Sequence, residues 1–250
     1  TARCWYCYNG KYWEEDSCDL IVAERAKILQ DALMIYSLTI EDYKKREDYT
    51  KHIIKMGKQH VRKNMITDAR SKYPVKTEEF DQNTNLFNCK NGTYNLETGT
   101  LQKHNPEDYI SKISNVYYDP AAPGTEIEKF MNTIMQGNKE NIEYIQKILG
   151  LALMGNTDEE KLFIFYGPST RNGKSTLVET FLFMIKDYGT TMQPESLALS
   201  KKDSRSASSD IARLKGVRFV DAPEPPQSMR LDAALIKQLT GNDMITARKI

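Results

Sequence analysis

The sequence predicts an α/β protein, with a phosphate-loop core preceded by a mostly helical part that carries short strands. Three observations carry that expectation. Leu162-Phe163-Ile164-Phe165-Tyr166 is an apolar run rich in aromatic and β-branched residues, which reads as a buried strand. It passes through a turn-forming loop into Gly173-Lys174-Ser175-Thr176 and then into Leu177-Val178-Glu179-Thr180-Phe181-Leu182, which reads as a helix. Upstream of it, stretches with apolar residues at helical spacing give way to short, turn-bounded strands.

Taken from the N-terminus, the first element expected is a hairpin from Arg3 to Trp13, turning at Asn9-Gly10. Cys4-Trp5-Tyr6-Cys7 has a metal-like spacing, but a structural zinc site needs four ligands and the second pair is missing. Leu20, Ala23, Ala26, Leu29, Leu33 and Ile35 then predict a helix over Cys18 to Leu38. A second helical segment is expected from about Tyr49 to Ser71. On it Lys51, Lys55, Lys58 and Arg62 recur at intervals of four, three and four and would share one face. That face suits either a phosphate backbone or plain solvent. From Asn85 to Tyr118 short strands surround Lys90-Asn91 and turn again at Glu97-Thr98-Gly99. Asp119 to Gly124 reads as a linker. Two helices follow, about Thr125 to Met135 and Lys139 to Leu153, the second closed by Gly155-Asn156.

Bulk properties narrow the function classes. With 250 residues there is length for one large domain or two modest ones. No apolar run is long enough for a membrane span, and no charged-then-apolar leader opens the chain. Four cysteines suggest a reducing, cytoplasmic setting. The net charge is +1, so affinity for nucleic acid would have to come from local patches. A chain that begins at Thr1 and stops at Ile250 within a polar run reads as a piece of something longer.

Strand, loop, Gly-Lys-Ser/Thr and helix in that order is the context of a nucleoside triphosphate site. Gly173 lets the backbone approach the phosphates, and the first N–H groups of the helix can donate to them. Lys174 would reach the β- and γ-phosphates of ATP, the Ser175 hydroxyl would hold Mg2+, and Gly167, Asn172 and Thr176 complete the cradle. Five residues separate Gly167 from Gly173, one more than the strict pattern. The added residue would widen the early loop and leave the Gly-Lys-Ser cradle intact.

Further motifs resemble the C-terminal helicase region of phage and plasmid primase–helicases, in the superfamily 3 helicases related to the poxvirus primase–helicase. Asn88 to Leu96 is similar to the family's "NGxxdL" strand, and Asp119-Pro120 to its "yDP" linker. Tyr144 to Gly150 looks like the helix before the ATPase core. Leu214 to Val220 resembles the strand carrying Walker B, and Leu235 to Asp243 the motif termed B′. The matches run from about Asn85 to the end. The resemblance implies an AAA+-like P-loop core over 155–250, collar-like helices and linker over 119–154, and an accessory domain over 1–118. It also implies an ATP-driven DNA helicase acting on a single strand or fork. In the full-length protein this would be a homo-oligomeric, hexameric ring in the host cell cytoplasm, bacterial for a phage or plasmid.

Two acids compete for the Walker B role. Pattern reading picks Asp221 at the strand end, whereas the family alignment points to Glu224 as the carboxylate orienting metal and attacking water. The resemblance also places Lys237, on a helix whose apolar side is Leu231, Ala234, Leu235 and Leu239, near nucleotide or DNA. Thr246-Ala247-Arg248-Lys249 is similar to the entry of the DNA-binding hairpin. The family's sensor and arginine finger would lie past Ile250, so this piece would bind ATP yet hydrolyse it poorly. A P-loop small-molecule kinase and a non-catalytic DNA-binding or oligomerisation fragment are the alternatives.

Overall fold

The computed structural model describes residues 4–167, 170–199, 209–241 and 245. The chain forms two compact units, one of Thr1–Gln82 with Asn105–Ser111 and one of Asn83–His104 with Lys112–Ile250.

The first unit opens with the antiparallel hairpin β1 (Trp5–Tyr8) and β2 (Trp13–Asp16), in which Tyr8 faces Trp13. Its turn is made as expected at Asn9-Gly10. The Asn9 carboxamide oxygen accepts from the Lys11 and Tyr12 amides at 3.0 and 3.1 Å. Asp16, buried at the end of β2, accepts from the Ile21 and Val22 amides at 2.8 Å each. It thereby satisfies the start of α1 (Leu20–Ser37) from outside the helix. Tyr6 stacks on Phe80, Trp13 stacks on Tyr109, and the Trp13 indole donates to the Pro106 carbonyl at 2.8 Å. Residues 105–111 therefore return to this hairpin, although they follow the next strands in sequence.

Helices α1, α2 (Tyr43–Met56) and α3 (Gln59–Ala69) complete the unit around Ala26 and Ile53. The single helix expected from Tyr49 to Ser71 is corrected here: the chain breaks at Gly57-Lys58, with Lys58 extended at ψ 131. Two causes act at the break. Gly is a poor helix interior residue, and the Arg62 guanidinium takes the Gly57 carbonyl that a continuous helix would use internally.

In the second unit β3 (Leu86–Cys89), β4 (Gly92–Asn95) and β5 (Thr100–Gln102) form an antiparallel meander. A Cβ at Gly92 would lie 2.5 Å from the Gln102 carbonyl oxygen, so the close β4–β5 approach demands glycine there. Helices α4 (Thr125–Ile134) and α5 (Lys139–Met154) stand where the sequence put them, α5 ending at left-handed Gly155. They are followed by α6 (Lys174–Ile185), β6 (Gly189–Thr191), α7 (Ser209–Ala212), β7 (Phe219–Asp221) and α8 (Ala233–Thr240). β6 and β7 pair in parallel with Thr191 opposite Asp221.

One apolar cluster joins Phe87 and Cys89 of β3 to Phe181 and Ile185 of α6 and to Tyr188. A second joins Met131 of α4, Ile145 and Ile148 of α5, and Leu177 of α6. Arg218 ties the first together: its guanidinium donates to the Leu86 carbonyl at 2.7 Å and to Leu153, and stands 4.6 Å over the Tyr188 ring.

The buried strand expected at 162–166 needs correction. Phe163 and Phe165 pack against the second cluster, but Leu162, Ile164 and Tyr166 are 48%, 78% and 85% exposed, and the segment forms no regular element and has no strand partner among the described residues. An apolar run becomes a buried strand only when neighbouring backbone and a second layer cover it. Here only the alternate residues are covered.

Candidate functional site

α6 is fixed through Leu177, Phe181 and Ile185, spaced four apart and all buried, which leaves its first turn at the mouth of the preceding loop. Its first helical bond runs from the Leu177 amide to the Gly173 carbonyl at 3.0 Å. The amides of Lys174, Ser175 and Thr176 thus have no helical acceptor. Ser175 and Thr176 are exposed and Lys174 is half-buried.

The loop before them is bent by sequence and by contact. Arg171 sits at φ 57 and Gly173 at φ 82, with Asn172 between them on the ordinary side. Such alternation turns successive N–H groups toward one concavity, the geometry of an anion nest. A Cβ at Gly173 would lie 2.4 Å from Cγ2 of Ile134 on α4, and one at Gly167 would lie 2.2 Å from Nδ2 of Asn172 and 3.3 Å from the Lys174 ammonium. The Lys174 Nζ donates to Asn172 Oδ1 at 2.9 Å. Gly167, Asn172, Gly173 and Lys174 are therefore brought together, with Ser175 and Thr176 next on the helix. Amides without a helical acceptor, an ammonium group and a hydroxyl gathered at one helix start form a donor set suited to a phosphate chain with its metal. Pro168 and Ser169 lie outside the described residues.

Asp221 ends β7, which is held against α6 by the edge-on contact of Phe219 with Phe181, 5.1 Å between centroids. Burial, and then the carboxylate of Glu179, push the Asp221 carboxyl above its ordinary range. Glu179 was not singled out by the sequence. Its only signal was its place four residues after Ser175, on the same side of α6. Glu224 is exposed, three residues past Asp221, and sits at φ 46, a conformation costing a non-glycine residue of order 1–3 kcal/mol.

The basic residues are scattered. Lys51 lies on α2, paired with Glu47 at 2.7 Å and Asp48 at 3.9 Å, and Lys55 is exposed on the same helix. Lys58 precedes α3, and Arg62 on α3 is turned onto its own chain. The helix break means that spacing alone does not put these four on one helical face. Lys237 is exposed on α8, whose start is capped by Asp232. The inner side of α8 is formed by half-buried Leu235, Ile236 and Leu239; Leu231 lies outside it and Ala234 is exposed, which corrects the expected apolar side. Arg248 and Lys249 lie outside the described residues. Among those described, no group of His, Cys, Asp and Glu side chains is arranged to hold a metal by itself, and no helix is long and apolar enough to cross a membrane.

The profile of the family described as D5 N terminal like matches residues 2–136, more than half of the chain. The chain belongs to this family. A protein of Acanthamoeba polyphaga mimivirus named as a helicase is 33% identical over 173 residues, covering 68% of this chain and 18% of that protein. A helicase-named protein of Invertebrate iridescent virus 3 is 26% identical over 176 residues, again 68% of this chain and 18% of the relative. One from Frog virus 3 is 26% identical over 153 residues, or 61% and 15%. The D5 N-terminal-like chain thus spans less than a fifth of the length of these viral relatives. All three come from large viruses of eukaryotes, whereas the sequence pointed to phage, prophage or plasmid elements.

Proposed function

We propose that this D5 N-terminal-like chain is part of an ATP-dependent DNA helicase of superfamily 3 type, serving the replication of a viral or other mobile element. In this reading residues 1–118 form the accessory domain, 119–154 the linker and collar-like helices, and 155–250 the start of a P-loop ATPase core. The observation that carries it is the loop running into α6 with Lys174 at its end, in a D5 N-terminal-like chain that has helicase-named relatives.

ATP supplies the phosphoryl group and Mg2+ neutralises charge as it is released. The chain's own part is positioning. Lys174 binds the β- and γ-phosphates once it leaves Asn172, the amides around Gly173 and Thr176 fix their orientation, and Ser175 offers its hydroxyl to the metal. Glu224, exposed three residues past the end of β7, orients the attacking water. Asp221 is the second candidate. DNA contact falls to Lys51, Lys55, Lys58, Arg62, Lys237, Arg248 and Lys249, and the full-length protein works as a hexameric ring.

The test uses the natural, longer protein. DNA-stimulated release of inorganic phosphate that vanishes in Lys174→Ala supports the helicase. Phosphate transfer to a small acceptor, indifferent to DNA, would instead make this site a kinase.

A further inference from the structure

The lysine of the candidate phosphate site is already engaged. Its ammonium donates to Asn172 Oδ1 at 2.9 Å, two residues back along the loop. The same Asn172 side chain crowds Gly167, where a Cβ would come within 2.2 Å of Nδ2, and the ammonium lies 3.3 Å from that point. The carboxamide thus spans the loop from its last residues to its first, with the lysine charge folded in beside it. Both Asn172 and Lys174 are half-buried, so the bond is partly shielded from water and is not an idle surface contact. Downstream, Gly173 is pinned against Ile134 and the helix start is fixed through Leu177. The Lys174 ammonium, at the end of a long side chain, is therefore the part of the cradle that can swing from Asn172 to a ligand.

We propose that Asn172 is an internal latch: its carboxamide oxygen stands in for a phosphate oxygen, and an incoming polyphosphate must displace it to recruit Lys174. The inference rests on the phosphate-site reading above and adds a competing ground state to it. Two consequences follow from the chemistry of the acceptor. Removing the carboxamide frees the ammonium and removes a competitor of the ligand. Replacing it with a carboxylate makes the latch an ion pair and sets a negative charge against the entering phosphates.

The experiment is calorimetric titration with Mg-ATP and separately with inorganic tripolyphosphate, which lacks the base and sugar. The wild type, Asn172→Ala, Asn172→Ser, Asn172→Asp and Lys174→Ala are compared. A hydrogen bond to a charged group is worth enough that Asn172→Ala should bind both ligands about fivefold more tightly than wild type. Asn172→Ser should tighten both in the same direction by less, and it serves in place of Asn172→Ala should that variant not fold. Asn172→Asp should bind at least about tenfold more weakly. Tighter binding by Asn172→Ala that disappears in the double variant with Lys174→Ala would establish the latch. Unchanged or weaker binding by both Asn172→Ala and Asn172→Ser, in a wild type that binds well and needs Lys174, would overturn the latch and leave the phosphate site standing. A wild type that binds neither ligand would overturn both.

Discussion

Replacing Gly173 by alanine tests the stereochemistry of the loop on two independent counts. The residue sits at φ 82, and an L side chain held in the left-handed region costs about 1–2 kcal/mol. The added methyl would also stand 2.4 Å from Ile134 Cγ2, and Phe130 Cζ follows at 3.5 Å. Overpacking of that kind costs about 1–3 kcal/mol, because α4 cannot retreat without disturbing Met131 beneath it. Together the loss is about 2–5 kcal/mol, a large share of the stability of an ordinary domain. Urea denaturation followed by circular dichroism measures it, with the slope of the transition checked for constancy. Trimming the neighbour separates the two costs: Gly173→Ala made in an Ile134→Ala background should lose only the conformational part, so the pair should be non-additive. Gly150, inside α5 with nothing within 4 Å of its would-be Cβ, is the opposite case, and Gly150→Ala should stabilise by about 0.5–1 kcal/mol. A Gly173→Ala protein as stable as wild type would mean that the loop does not have this geometry.

Three further outcomes are expected. In the longer natural protein Glu224→Gln should keep ATP binding and suppress hydrolysis, measured by phosphate release; if Asp221→Asn does so and Glu224→Gln does not, the metal and water belong to the strand end. Asp221 also gives a pH signature: its folded carboxyl is raised above the unfolded value, so the native state binds the proton more tightly. Stability should then fall as pH rises from the ordinary aspartate value through the raised one, and Asp221→Asn should abolish that fall in denaturation midpoints taken across the acid range. Neutralising Lys55 and Lys58 should lower the log–log salt slope of DNA binding by about 0.7 per contact on single strands or 0.9 on duplex; identical slopes would mark both as solvated surface, and Lys51, already paired with Glu47, should matter least.

Much of the local structure was legible because it is written in nearest-neighbour chemistry. The Asn9-Gly10 hairpin, the helix from Leu20, and α4 and α5 with the Gly155 stop all follow from turn residues and apolar spacing. Gly173-Lys174-Ser175-Thr176 at the head of a helix was equally plain. What escaped depends on partners distant in sequence. The periodicity across Gly57-Lys58 concealed a break that Arg62 completes from beyond it. The return of residues 105–111 to the first hairpin rests on ring stacking and one indole bond that no spacing announces. The run at 162–166 reads as a strand, yet strand pairing is a property of neighbouring backbone. Glu179 and Ile134 became part of the site only once α6 was packed between β7 and α4.

Calorimetric titration of Mg-ATP into this chain, beside the Lys174→Ala variant with an unchanged unfolding transition, is the most direct test of a nucleotide site at the head of α6. Saturable, magnesium-dependent binding by the wild type that is lost in the variant is the predicted result. Equal affinity in the two proteins, or no heat of binding in either, would contradict it.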